Sequence, residues 1–242
     1  MTIKPWTEIC RWFDVDTIIL NPQIPLELFL PPPEEEVHLI GTHDSKGFNG
    51  GVFFMRVDQW SLDMLIEVLA VPLMDNKHHV SISKDYSALE QILESPAFRG
   101  RTLYQPRGWF NSFDVNKTYE GAGGNMLVHF PDVSANKWAR MDMYLETMSA
   151  PGGNPWEVPL GLTTYEMSVM SYWTRIKDAR KLLKEARGKE DDRRVHDTAR
   201  RLRFAMDYET DHEEVVRDAS IALRKALTEA KTEAKNKQQQ PH

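Results

Sequence analysis

The sequence predicts an α/β protein: strands alternate with helices along a core of roughly the first 160 residues, and a helical extension follows. Three observations carry this expectation. Runs rich in β-branched and aromatic residues, bounded by glycine, proline or polar clusters, recur at EICRWF, VHLIGT, GVFFMRV, RTLYQ and NMLVHF. Stretches of helical periodicity lie between some of them. After about Gly161 the texture changes, with charged residues crowding in and apolar positions recurring at helical spacing.

EICRWF reads as a short buried strand, and NPQIPLELFLPPPEEE as an extended, proline-rich connection that cannot be helical throughout. VHLIGT and GVFFMRV read as two further strands separated by a turn-rich loop, HDSKGFNGG. From Asp58, a candidate N-cap, the pattern becomes helical, with Trp60, Met64, Leu65 and Val68 on one face. SKDYSALEQILESP predicts a second helix, opened by Ser83 and stopped by Pro96. RTLYQ and NMLVHF then read as strands on either side of an aromatic loop, PRGWFNSFDVNKTYEGAGG.

Beyond Gly161 the apolar positions Val195, Ala199, Leu202 and Met206, and then Val216, Ala219, Leu223, Ala226 and Ala230, predict two or three amphipathic helices. Their narrow stripe would pack on the core or on a protein partner. The expected division is therefore 1–160 for the α/β core, 161–235 for the helical extension and 236–242 for a disordered tail.

Composition bounds the function. With 242 residues, 41% hydrophobic and 27% charged, the chain is long enough for a sizeable core, and its net charge of -6 gives no electrostatic reason to expect nucleic acid. Cys10 is the only cysteine, so no intrachain disulfide forms and metal chemistry must rest on oxygen and imidazole ligands. No apolar run approaches the ~18 to 20 residues of a membrane span, and the N-terminus has no apolar signal core. On this reading the chain neither spans a membrane nor enters the secretory pathway by itself, and left to itself it is cytoplasmic.

The residues that could carry chemistry begin with Asp14 and Asp16, at the point where the first strand ends. In an extended segment residues i and i+2 point to one side, so both carboxylates would face the same way. Their mutual repulsion is relieved by a divalent cation, and hard oxygen ligands suit Mg²⁺ or Mn²⁺. Asp-X-Asp taken alone reads more readily as a solvated loop. His129 reads either as a hydrogen-bonded core histidine or as a ligand, Asn49-Gly50 as a tight turn, Asp85 as an aspartate favoured by a helix N-terminus, and Trp109-Phe110 as buried core.

In order along the chain, WFDVDTIILNPQIPLELFLPP, GFNGGVFFMRVDQWSLDML, SALEQIL, WFNSF and MLVHFP resemble the catalytic half of nucleotide-sugar-dependent glycosyltransferases with the GT-A fold. The closest look is to glycosyltransferase family 34, the galactosyl-, mannosyl- and xylosyltransferases, over roughly residues 8 to 135. The resemblance implies that Asp14 and Asp16 are the family's metal-binding Asp-X-Asp and that His129 closes the metal shell around Mn²⁺ (or Mg²⁺). It further implies that Asn49, Gly50 and Gly51 let backbone approach the transferred sugar, and that Asp85 sits near the reacting sugar, with Tyr86 where the family usually has glutamine. Trp109 and Phe110 are implied to stack on an acceptor sugar.

The implied reaction moves a hexose or pentose from a UDP- or GDP-sugar donor to a glycan acceptor hydroxyl, with retention and in a Golgi setting. Asp14 stands so near the start that the expected domain is a partial, N-terminally truncated one, without the first βαβ units or the family's membrane anchor. The alternative is a catalytically inactive homologue acting as an interaction module through its sheet edge and C-terminal helices.

Overall fold

The computed structural model describes residues 8–74, 85–115, 118–131, 136–189, 191–208 and 210–238. The chain divides into two compact units, Met1–Met167 and Ser168–His242. The first is mixed α/β, as the sequence predicts.

Strand β1 (Ile9–Phe13) leads through a turn into β2 (Thr17–Ile19), and a single 3-10 turn, Leu26–Phe29, interrupts the proline-rich connection. Strands β3 (Leu39–Asp44) and β4 (Gly47–Arg56) form a hairpin. Helices α1 (Gln59–Met74) and α2 (Asp85–Glu94) follow, then β5 (Thr102–Tyr104), a short helix α3 (Arg107–Phe110), β6 (Ser112–Val115), β7 (Thr118–Tyr119) and β8 (Leu127–His129). Helix α4 (Lys137–Met148) completes the unit, before α5 (Tyr165–Ala186), which runs on into the second.

These strands build two four-stranded sheets, ordered β1-β4-β3-β5 and β2-β8-β6-β7. In the first only β3 and β5 are parallel, and in the second only β6 and β8. Leu39, Phe48, Met55 and Tyr104 of the first sheet bury themselves against Trp60 and Met64 of α1 and Leu93 of α2. Ile18, Val128 and Phe130 pack with Met141 and Tyr144 of α4 on the second. Phe29 is fully buried and meets Phe54, Trp109, Phe110 and Tyr165, which gives the proline-rich connection its anchor in an aromatic core.

The segment read as a turn-rich loop, HDSKGFNGG, is mostly hairpin. Asp44 pairs with Gly47, so only Ser45 and Lys46 form the turn, and Asn49-Gly50 lies within β4 rather than at a bend. Asp44 Oδ1 accepts the Lys46 amide at 2.6 Å, and Gly47 takes the positive φ of 113° that the reversal needs. The aromatic loop likewise contains α3, β6 and β7. Helix α1 starts as expected, with the Ser61 amide donating to Asp58 Oδ1 at 3.2 Å, but Leu65 is exposed beside Leu62, Ile66 and Leu69.

In the second unit, α6 (Arg193–Tyr208) and α7 (Glu213–Gln238) pack against each other. Val195, Ala199, Leu202, Met206, Val216, Ala219, Leu223 and Ala226 of the predicted stripe are all buried, and Ala230 is half-buried. Ion pairs such as Arg224–Asp178 at 2.7 Å and Arg194–Glu233 at 2.8 Å lace the outside. Helix α7 continues to Gln238, so the first residues of the expected tail, from Asn236, are helical; residues 239–242 lie outside the described residues. Among the described residues no helix is long and apolar enough to cross a membrane.

Candidate metal centre

Asp14 and Asp16 are brought together by a turn, not by strand alternation. The Asp14 amide donates to Gly51 O at 2.8 Å, extending the β1–β4 ladder by one bond, and the Asp14 carbonyl accepts both the Thr17 amide at 3.1 Å and the Thr17 hydroxyl at 2.8 Å. Residues 14–17 thus make a β-turn that carries the chain from the first sheet to the second, with Val15 exposed at its tip. Strand β2 then pairs with β8, setting Thr17 opposite His129, while the Phe130 amide donates to Asp16 O at 3.0 Å.

The consequence is that Asp14, Asp16 and His129 each offer a ligand atom within 4.8 Å of the other two. His129 Nε2 lies 3.4 Å from Asp16 Oδ1. Two ligand oxygens or nitrogens on one small divalent ion are about 3 to 4.5 Å apart at ordinary bond lengths of ~2.1–2.2 Å, and the 3.4 Å between His129 and Asp16 falls in that range.

The donor set fits in protonation state too. His129 is only 3% exposed, and burial, opposed by the charges of Asp16 and Asp14, holds its pKa below the usual imidazole value, leaving it neutral at pH 7. Its Nδ1 is 2.8 Å from Asn111 Oδ1, so Nε2 is the nitrogen that faces the acids. Trp12 Nε1 donates to Asp14 Oδ1 at 2.9 Å, and Lys137 Nζ to Asp16 Oδ2 at 2.5 Å. Two carboxylates and one neutral imidazole, with outer contacts already fixing each of them, are residues that can hold a divalent cation.

Gly51 supports the histidine from below: a Cβ there would stand 2.2 Å from His129 Cε1, so only glycine lets the ring come this close to β4. Gly50 is buried in the same strand. The Asn49 amide is taken up by the scaffold, Nδ2 donating to Asp44 Oδ2 at 2.8 Å and Oδ1 accepting from the Gly51 amide at 3.0 Å and from Asn111 Nδ2 at 2.9 Å.

Phe110 has no accessible surface and packs on Phe29 and Phe54, so it has no face left for an acceptor sugar. Trp109 stacks on Phe29 with a ring separation of 6.1 Å. Asp85 is the first described residue of α2, and its side chain lies outside the described residues. Asn111, Thr42 and Lys137 were not singled out by the sequence. Asn and Thr beside aromatic or glycine-rich runs carry no spacing signal, and Lys137 reaches Asp16 only because α4 follows β8.

Compared with curated proteins, the chain matches none. Among solved structures it is similar to a glycosyltransferase involved in the glycosylation of the major capsid of PBCV-1, at 20% identity and a TM-score of 0.40, covering 57% of this chain and 67% of the other. Residues 31–138 match the model of the galactosyl transferase GMA12/MNN10 family, a stretch that begins after both aspartates and includes His129. Over those residues this chain is similar to the galactosyl transferase GMA12/MNN10 family, the one that its sequence segments resemble.

Proposed function

We propose that this chain carries the catalytic portion of a metal-dependent glycosyltransferase with a GT-A-like core, which transfers a sugar from a UDP- or GDP-sugar to a glycan hydroxyl with retention. The convergence of Asp14, Asp16 and His129 carries the proposal, and the family match over residues 31–138 supports it. In this reading Asp14, Asp16 and His129 Nε2 hold Mn²⁺ or Mg²⁺. The ion, when bound, supplies Lewis-acid stabilisation of the charge that grows on the departing diphosphate.

The chain's own residues do the rest. The turn at 14–17 and strand β8 fix the three ligands before any donor arrives, which lowers the reorganisation needed to bind it. Lys137, paired with Asp16, offsets part of the acids' charge. Gly50 and Gly51 let the β4 backbone lie close to the centre, and Trp109 and Asp85 are assigned to the acceptor and the reacting sugar by the family resemblance. A Golgi setting belongs to the same proposal.

The test is transfer of labelled sugar from a panel of UDP- and GDP-sugars, with and without EDTA. Asp14→Asn and Asp16→Asn are expected to lower kcat/KM by at least about a hundred-fold, as loss of a charge-stabilising group does. Turnover that survives EDTA and both substitutions would overturn the reading.

A further inference from the structure

The face of the β3–β4 hairpin turned toward His129 carries four residues brought there by strand alternation and cross-strand pairing: Thr42, Asp44, Asn49 and Gly51. Thr42 stands opposite Asn49, and Asp44 opposite Gly47. Asn111, just before β6, is fully buried between this face and His129 and joins them. Each link has a direction that the chemistry of the groups imposes.

An ionised carboxylate only accepts hydrogen bonds, and a backbone N–H only donates. Asp44 Oδ2 therefore takes a hydrogen from Asn49 Nδ2 at 2.8 Å, and the Gly51 amide gives one to Asn49 Oδ1 at 3.0 Å. With its orientation fixed twice, Asn49 presents only its oxygen to Asn111, which must answer with Nδ2 at 2.9 Å. The same Nδ2 donates to Thr42 Oγ1 at 2.8 Å. Asn111 then has only Oδ1 left for His129 Nδ1, at 2.8 Å, and an acceptor there requires that Nδ1 carry the proton.

We propose that half-buried Asn49 and fully buried Asn111 form a polarised relay, anchored by Asp44 and the Gly51 amide, that locks His129 as its Nδ1–H tautomer and turns the Nε2 lone pair toward Asp14 and Asp16. Asn49 and Asn111 are thus positioning residues. The value of the relay for catalysis rests on the metal reading above, but the tautomer does not. Without the relay the imidazole could place its proton on Nε2, directed at Asp16 Oδ1 3.4 Å away, and a protonated nitrogen is no ligand.

The experiment is long-range ¹H–¹⁵N correlation of the imidazole in the ¹⁵N-labelled full chain at pH 8 in EDTA, followed by Mn²⁺ titration. Wild-type His129 is expected to show a protonated Nδ1 and a bare Nε2; a protonated Nε2 overturns the proposal, whatever the variants do. In Asn49→Leu the Asn111 amide is freed to turn over, so an Nε2–H population is expected, with Mn²⁺ affinity lowered about ten-fold. In Asn111→Asp the carboxylate can only accept, so the Nδ1–H form is expected to persist. A tautomer unmoved by Asn49→Leu would reject the relay. Wild-type chain with the expected tautomer and no Mn²⁺ binding would sink the metal reading and leave the relay standing.

Discussion

Gly51 leaves the His129 ring space that a side chain at position 51 would take: a methyl group there would sit 2.2 Å from Cε1 and 2.8 Å from Nδ1 of the ring. The imidazole is 3% exposed and tied to Asn111, so it cannot swing aside freely. Gly51→Ala is expected to cost about 1–3 kcal/mol through overpacking and to weaken Mn²⁺ binding about ten-fold or more by displacing a ligand. Calorimetric titration and urea unfolding check the two parts separately. Unchanged affinity would free the centre from any dependence on β4.

Lys137 competes with any ion for Asp16. Its ammonium is 2.5 Å from Oδ2, and the two side chains are only 12% and 14% exposed. Lys137→Met is expected to raise Mn²⁺ affinity by about five-fold, the equivalent of roughly 1 kcal/mol, in the range of a partly exposed ion pair. Weaker binding in this variant would mean that the amine orients Asp16 for the ion.

Acid should destabilise the first unit through its buried imidazoles. Burial is the largest influence on both His129 and His38, and it lowers both pKa values below 6.5 despite the raising effect of Asp16 and Asp58 respectively. Between the lowered folded values and the unfolded value of about 6.5, the unfolded chain binds more protons. The stabilisation is therefore complete above about pH 6.5 and is lost as pH falls through the folded values, with a slope of at most about 1.4 kcal/mol per pH unit for each ring. His129→Gln, which does not titrate, is expected to show a shallower decline. Urea unfolding in EDTA from pH 7.5 to 4.5 measures it, and an unchanged slope would exclude His129 as a contributor.

Asp114 holds α4 to the second sheet. Its carboxylate is 2% exposed and accepts from Tyr144 Oη at 2.7 Å and from the Arg140 guanidinium, which also lies over the Tyr144 ring. Removing one partner of such a buried set strands the others. Asp114→Ala is expected to lose about 3–5 kcal/mol, and Asp114→Asn, which keeps a carbonyl acceptor for Tyr144, clearly less. Equal losses in the two variants would argue that shape, not charge, secures the helix.

Much of this architecture was written in patterns that short windows can register. GVFFMRV and VHLIGT are strands because β-branched and aromatic side chains fill both faces of a half-covered sheet, and Asp58 caps α1 with the bond that its position suggests. The two aspartates stand out by their i, i+2 spacing, but only the family resemblance joins them to His129, more than a hundred positions away. What escaped is non-local or very short. Strands β6 and β7 span four and two residues and owe their existence to partners, Val128 and His129 for the first and Asp114 and Val115 for the second. Helix α4 mixes Trp138, Arg140 and Met141 without a clean stripe, and Trp138 is exposed while Met141 is buried. For Phe110 the burial against Phe29 agrees with the core reading and not with the stacking role that the resemblance implies, because an aromatic pair looks the same in sequence in either setting. Asn111 carries no signal at all until Asn49, Thr42 and His129 surround it.

The turn at 14–17 is the stitch between two sheets, since Asp14 is hydrogen-bonded to β4 and Asp16 leads into the strand that pairs with β8. An ion gripped there would rivet residue 14 to residues 16 and 129 across that seam, and mass action would turn its concentration into resistance to heat, about 2.7 kcal/mol at a hundred times the dissociation constant. The melting temperature of this chain would then serve as a gauge of how much manganese surrounds it.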